Sequence, residues 1–122
     1  MKPASRAPVV TLILVAANIA AAYLLLFNPT WLGDYGFDAE HPSAVAALTC
    51  IFLHQNVLHL LGNMVFLAAV GPAVEEAAGR LRFAAVYFIG GLFGVVAFWF
   101  FARQVDDPAP LIGASGAVAA CI

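Results

Sequence analysis

Long apolar runs alternate with short polar segments along this chain. The first run is Val9–Phe27, and two further runs cover residues 57–78 and 83–101. A helix rises about 1.5 Å per residue, so each run is long enough to cross the roughly 30 Å hydrocarbon core of a bilayer. The pattern therefore predicts three membrane-spanning helices.

The segments between and after these runs are shorter. Residues 28–56 begin with polar and aromatic side chains, among them Trp31 and Tyr35, which are typical of the headgroup region. Within them, residues 42–53 are apolar but too few to cross a bilayer, so we expect an outer loop that contains an interfacial helix. Residues 111–122 start a fourth apolar run that reaches only about 18 Å as a helix, and we expect the chain to be truncated within this fourth span.

The composition is that of a membrane protein. Hydrophobic residues make up 64% and charged residues 10% of the chain, whereas a soluble domain is roughly half apolar and about a quarter charged. Because the polar residues are too few to cover a globule, lipid must cover it, and the predicted fold class is an all-α polytopic membrane helix bundle. The net charge is only -2 and the cations form no basic stripe, so we expect the lipid bilayer, and no nucleic acid, as a partner.

The distribution of charges predicts an orientation. If three spans alternate, all the cations but Arg103 fall on one side, and Arg103 falls on the other side with most of the acidic residues. The positive-inside rule then places the amino terminus in the cytoplasm, with His59 and Ser115 both near the outer face. We expect the plasma membrane, of the bacterial inner-membrane type. The cations on the inner side are Lys2, Arg6, Arg80 and Arg82.

A serine among small residues opens the fourth run, in the sequence Gly113-Ala114-Ser115-Gly116. Glycines on either side allow a substrate or another backbone to approach, and amides at a helix start point toward an anion formed beside them. Small-residue clusters also pack membrane helices, so the cluster by itself fits either a nucleophile or a packing contact.

Polar side chains also gather at the start of the second run. His59 and Asn63 are four residues apart and therefore on one helix face, and both are costly in lipid unless they face protein or water. They fit either a hydrogen-bonded packing pair or two donors to a developing oxyanion. His54 lacks companions for a metal site, so we expect a structural histidine or a cavity wall, and no bound metal.

Two adjacent glutamates, Glu75 and Glu76, close the second run beside Arg80 and Arg82. Ion pairing or capping explains carboxylates in this position. The predicted topology places them a membrane thickness from Ser115, so they cannot be its base.

Three motifs follow one another along the chain: FLHQNVLHLLGN at residues 52–63, GPAVEEAAG at residues 71–79, and GASG at residues 113–116. In order and spacing they resemble the rhomboid intramembrane serine proteases. The resemblance covers nearly the whole chain from the first span onward, so we interpret residues 1–122 as a partial rhomboid domain.

The resemblance implies a core of six helices in which Ser115 attacks a peptide bond of a transmembrane protein substrate near the outer membrane face. It assigns binding of the oxyanion to His59, Asn63 and the backbone amide of Ser115. It implies no metal and no organic cofactor. The residues expected around the pocket are His54, Gly113, Ala114 and Gly116.

The chain departs from the family pattern in one respect. The family's general base is a histidine on the sixth span, and no residue after Ile122 supplies it, so we expect these 122 residues to be inactive alone. A non-catalytic rhomboid-like protein that binds membrane helices is one alternative, although the intact serine motif argues against it. A small transporter or channel subunit is another, and it needs polar residues at matching depth, for which the other spans offer Thr11, Asn18 and Tyr87.

Overall fold

The computed structural model describes residues 7–54 and 56–102. The predicted fourth span and the serine motif lie outside the described residues. Within them, three long helices are joined by a segment of shorter helical pieces. In chain order the elements are α1 (Val9–Phe27), α2 (Trp31–Tyr35), α3 (Ala44–Thr49), a 3₁₀ turn (Cys50–Phe52), α4 (Val57–Ala78) and α5 (Arg80–Ala102).

The three long helices have the length and composition to cross a membrane. The candidate spans are Val9–Phe27, Val57–Ala78 and Arg80–Phe100. Large apolar side chains remain exposed along them, as Leu58 on α4 and Phe93 on α5 illustrate, with 79% and 76% of their surface accessible. Apolar surface on this scale requires lipid around it. The predicted all-α membrane helix bundle is therefore confirmed.

The connection between α4 and α5 is shorter than the sequence suggested. The apolar run predicted a start of the third span at residue 83, whereas α5 already begins at Arg80. Gly79 alone separates the helices, with φ of 91°, and its N–H donates to the carbonyl of Glu75 at 2.8 Å. Glycine adopts this left-handed conformation without a side-chain penalty, so a single residue can reverse the chain.

Gly71 of the second span lies close against Thr11 of the first span. A Cβ atom at this position would lie 2.7 Å from Oγ1 and 2.8 Å from Cγ2 of Thr11. Only glycine allows this approach, and small residues serve the same purpose in many membrane helix pairs. The α1 and α4 helices are therefore in backbone-level contact at this end of the bundle.

The same end of the bundle contains a buried carboxylate. Glu75 is 5% exposed, and its two oxygens accept hydrogen bonds from the N–H groups of Val10 and Thr11 at 3.0 and 2.8 Å. The hydroxyl of Thr11 donates a third bond at 3.0 Å, and Arg80 Nε lies 3.8 Å away. The first N–H groups of a helix have no partner within it, so Glu75 caps α1 from α4.

A second polar contact joins α1 to α5 inside the bundle. Asn18 and Tyr87 are both fully buried, and the Asn18 amide donates to the Tyr87 hydroxyl at 3.2 Å and to the Leu14 carbonyl at 2.8 Å. Polar side chains in lipid must find protein partners, and interhelical hydrogen bonds of this kind hold spans together. These groups therefore serve helix packing.

The segment between α1 and α4 contributes to the core. Its predicted interfacial helix consists of α3 and the 3₁₀ turn, and the hydroxyl of Ser43 caps α3 by accepting from the N–H of Ala46 at 3.3 Å. Phe37 and Ile51 are buried, and Phe37 packs edge-on against Phe98 of α5 with ring centroids 6.3 Å apart. The segment is thus folded back onto the helices and sets where α4 begins.

Candidate functional site

The amino-terminal end of α4 is fixed by an asparagine cap. Asn56 has extended backbone angles, and its Oδ1 accepts a hydrogen bond from the N–H of His59 at 2.8 Å. Asparagine is among the best residues for this position because its side chain replaces a missing intrahelical partner. The cap places the start of α4 at Val57, so His59 lies in the first turn of the helix.

His59 and Asn63 lie one turn apart on that face, as their spacing predicted. Both are half-buried. The Asn63 amide donates to the backbone carbonyl of His59 at 3.2 Å, which holds the carboxamide alongside its own helix. The structure therefore brings two hydrogen-bonding side chains together near the end of a membrane span.

His54 joins this pair from outside the helix. It follows the 3₁₀ turn, is 3% exposed, and packs its ring edge-on against that of His59, with centroids 5.1 Å apart and planes at 70°. Burial, together with the nearby His59, lowers the pKa of His54 from 6.5 to about 4. The imidazole is therefore neutral at pH 7, as desolvation of a cationic group requires.

A cavity of about 280 Å³ opens beside His54. It lies between the carboxy-terminal end of α1 and the amino-terminal end of α4, and apolar side chains such as Leu25 and Leu32 form most of its wall. His54 and Asn56 are the polar residues in the wall. The expectation that His54 forms part of a cavity wall fits this arrangement.

A separate group of possible metal ligands was not selected from the sequence. Asp38, Glu40 and His41 bring three ligand atoms within 4.8 Å of one another in the loop before α3. The Glu40 N–H and the His41 ring hydrogen-bond to the carboxylate of Asp38, which brings the three residues close together. The same hydrogen bonds lower the pKa of Asp38. Glu40 and His41 are exposed, and His54 does not belong to the group.

The remaining predicted site residues have different positions. Gly113, Ala114, Ser115 and Gly116 lie outside the described residues. Glu75 is sixteen residues beyond His59 on α4, about 24 Å along the helix axis. Its carboxylate caps α1 there, which agrees with the interpretation of this glutamate as a capping residue. The Glu75 carboxylate is therefore too far from His59 to act as a base there.

Comparison with known proteins identifies the family. Residues 41–122 match the Rhomboid domain family. The chain is 33% identical over 94% of its length to Rhomboid protease GluP of Bacillus subtilis (strain 168), of which it covers 24%. The chain belongs to the rhomboid family.

Relatives also occur in eukaryotes. The chain is 27% identical over 89% of its length to Rhomboid-related protein 3 of Homo sapiens, covering 30% of that protein. It is 37% identical over 58% of its length to RHOMBOID-like protein 5 of Arabidopsis thaliana, covering 22% of that protein. The chain thus spans about a quarter of the length of these relatives. No solved structure matches it.

Proposed function

We propose that this chain forms part of an intramembrane serine endopeptidase that cleaves transmembrane helices near the extracytoplasmic face. The observation that carries the proposal is the placement of His59 and Asn63 on one face of α4, half-buried beside a neutral His54. The family match supports it, because the matched residues 41–122 include both this pair and Ser115.

In the proposed reaction the Ser115 hydroxyl attacks the substrate carbonyl to give a tetrahedral intermediate. His59 and Asn63 donate hydrogen bonds to the resulting oxyanion, and two donors positioned around such a charge stabilise it strongly. The intermediate collapses to an acyl-enzyme with release of the amine, and water then hydrolyses the ester. No metal or organic cofactor takes part in this scheme.

The general base is proposed to come from the rest of the protein. A serine hydroxyl is a poor nucleophile without an adjacent base. His54 is packed against His59 with its protonation strongly disfavoured, and His59 is assigned to the oxyanion. The 122 residues alone are therefore expected to be inactive.

The orientation proposed from the sequence agrees with the position of the cap. Glu75 joins the start of α1 to the end of α4, so the α1 amino terminus lies at the same end of the bundle as Arg80 and Arg82. This end carries the cations and is assigned to the cytoplasm. The His59 end of α4 then lies at the outer face, where substrate helices would unwind to expose their carbonyls.

A non-catalytic role is the second candidate, because neither His54 nor His59 is assigned the role of general base. Such a protein would bind membrane helices without cleaving them. A fluorophosphonate probe separates the candidates because it reacts covalently with an activated serine.

The test uses the longest natural chain that contains these residues, reconstituted in liposomes with a transmembrane substrate. We expect probe labelling and substrate cleavage, both lost in Ser115→Ala. Ser43→Ala is the matched control, because Ser43 caps α3 and has no role in the chemistry. Equal labelling of Ser115→Ala and the parent protein would remove Ser115 as the nucleophile, and absence of both signals in the parent would favour the non-catalytic role.

A further inference from the structure

An apolar groove lies between the carboxy-terminal part of α1 and the segment that leads to α4. Ala21 and Leu24 of α1 line one side, and Phe52 and Leu53 of the segment line the other. Its volume is about 280 Å³, close to the lower end of the roughly 300–1,000 Å³ of pockets that hold small ligands. Leu24 is 47% exposed, so the groove is continuous with the lipid-facing surface of α1.

Two aromatic side chains also line this groove. Trp31 and Tyr35 lie one turn apart on α2, with ring centroids 5.6 Å apart and planes at 86°. Tryptophan and tyrosine concentrate where the hydrocarbon meets the lipid headgroups, because their rings combine an apolar body with a polar edge. The groove is therefore at the level of the bilayer where acyl chains join their headgroups.

The groove offers few free hydrogen-bonding groups to a ligand. Thr49 lines it, but the Thr49 hydroxyl already donates to the backbone carbonyl of Tyr35 at 2.8 Å. An extended peptide would bring unpaired N–H and C=O groups against an apolar wall, which is unfavourable. A helix, about 10–12 Å across, is too wide for a groove of this size. A lipid acyl chain is narrow and carries no polar group, so it fits the groove best.

The charges near the groove favour one kind of headgroup. Residues 28–56 include Asp34, Asp38 and Glu40 but neither lysine nor arginine, and Asp34 is exposed on α2 between the two aromatic residues. A cation over an aromatic ring is attracted to it, and a neighbouring carboxylate adds to the attraction. The same carboxylates repel an anionic headgroup.

We propose that this groove binds one phospholipid whose headgroup ends in an ammonium group, as in phosphatidylethanolamine. One acyl chain lies along Leu24 and Phe52, and the ammonium group lies beside Trp31 and Tyr35. Because the two sides of the groove belong to α1 and to the segment before α4, the bound lipid holds them together. The inference is independent of the proposed function, since a protein that cleaves nothing would bind the lipid equally well.

Fluorescence quenching tests the choice of lipid. The longest natural chain containing these residues keeps Trp31 as its only tryptophan, with the others replaced by phenylalanine, in bilayers of equal parts phosphatidylethanolamine and phosphatidylglycerol. Bromine atoms, which quench indole fluorescence on contact, are placed on the acyl chains of one lipid or of the other. We expect quenching of Trp31 to be about two- to fivefold stronger with brominated phosphatidylethanolamine, the ratio that one exposed cation–π contact gives.

Two variants and a second tryptophan serve as matched controls. A chain that keeps only Trp99, which lines a different groove, should be quenched equally by the two brominated lipids. Ala21→Leu fills the groove and should bring the ratio for Trp31 close to one. Ala20→Leu adds the same volume on the exposed face of α1 and should leave that ratio unchanged.

The aromatic contact has its own pair of variants. Tyr35→Leu keeps an apolar wall but removes a ring, so it should lower the ratio for Trp31. Tyr23→Leu, at an exposed position of α1 outside the groove, should not. A ratio near one for Trp31 in the parent protein, or equal ratios for Trp31 and Trp99, would overturn the lipid site.

Native mass spectrometry gives a second readout on the protein with all its tryptophans, released from the same bilayers. We expect it to retain phosphatidylethanolamine in preference to phosphatidylglycerol, and Ala21→Leu to retain one molecule fewer. Equal retention of the two lipids, or no change in Ala21→Leu, would overturn the site.

Discussion

Thr11 donates two hydrogen bonds to the same oxygen of Glu75, its N–H at 2.8 Å and its hydroxyl at 3.0 Å from Oε1. The N–H of Val10 completes the contact at 3.0 Å from Oε2. Free N–H groups at a helix start carry partial positive charge, which favours a carboxylate there. One side chain of α4 thus satisfies two free N–H groups at the amino-terminal end of α1.

Replacing this carboxylate should destabilise the bundle. Glu75→Ala leaves the N–H groups of Val10 and Thr11 without partners, and we expect a loss of about 1–3 kcal/mol in the free energy of unfolding. Thermal unfolding in detergent measures it. Glu76→Ala is the control, because Glu76 is the exposed neighbour on the same helix. Equal losses in the two variants would contradict the cap.

The α1–α4 contact at Gly71 predicts opposite effects for two glycine substitutions on one helix. Gly71→Ala places a methyl group against Thr11 and should cost about 1–3 kcal/mol, as overpacking does. Gly62→Ala meets no described atom within 4 Å and should stabilise α4 by about 0.5–1 kcal/mol, because alanine is the better helix former.

The same unfolding assay distinguishes the two glycine variants. Thr11→Ala removes the atoms that the new methyl group would meet, so Gly71→Ala should cost less when combined with it than alone. A Gly71→Ala variant as stable as Gly62→Ala would show that the helices are further apart.

These contacts show which parts of the fold a sequence reveals. The bounds of α1 and α4 coincide with the apolar runs, because membrane thickness requires helices of this length and lipid permits few charges along them. The apolar run that predicted α5 starts at residue 83, three residues after the helix begins, because Arg80 and Arg82 interrupt the apolar pattern. The positive φ of Gly79 lets the chain turn within one residue before them.

The site was predictable only where its geometry is local. His59 and Asn63 share a face because of their four-residue spacing. The contact between His54 and His59 depends on the turn before α4, and the cap of α1 by Glu75 joins residues 64 positions apart. The sequence did hold one clue to that cap, since an acid buried in a span must find donors and the first turn of another span supplies them.

The buried imidazole predicts a dependence of stability on pH. Burial lowers the pKa of His54 in the folded protein to about 4, from 6.5 for an exposed histidine. The unfolded chain therefore binds more protons between these values, so the contribution of His54 is complete above pH 6.5 and is lost as the pH falls toward 4. At pH 5 we expect about 2 kcal/mol less stability from this group.

Unfolding measured at pH 7 and pH 5 tests this effect. The stability lost between the two pH values should be clearly smaller in His54→Phe than in the parent protein. His41→Phe is the control, because it makes the same substitution at an exposed imidazole. The same pH dependence in His54→Phe and the parent would show that this imidazole titrates normally.

The proposed oxyanion donors give a kinetic prediction. His59→Ala and Asn63→Ala should each lower the turnover of a transmembrane substrate about 10- to 1000-fold, because each removes a donor that acts in the transition state. Cleavage in liposomes, with KM measured separately, checks this.

Asn28→Ala is the control for the asparagine variant. Asn28 donates to the carbonyl of Leu24, four residues earlier, as Asn63 does to that of His59, but it lies at the end of α1. Its replacement should leave turnover unchanged. If Asn28→Ala lost as much turnover as Asn63→Ala, the effect would come from reduced helix stability and not from a missing oxyanion donor.

The single-residue link at Gly79 has a consequence for biosynthesis. With no spare backbone between them, α4 and α5 form a tight hairpin, and we expect its two arms to enter the bilayer together. Arg80 and Arg82 stand at the tip of that hairpin. Moving two guanidinium groups through hydrocarbon is costly, so we expect the tip to remain on the side of the membrane from which the hairpin is inserted.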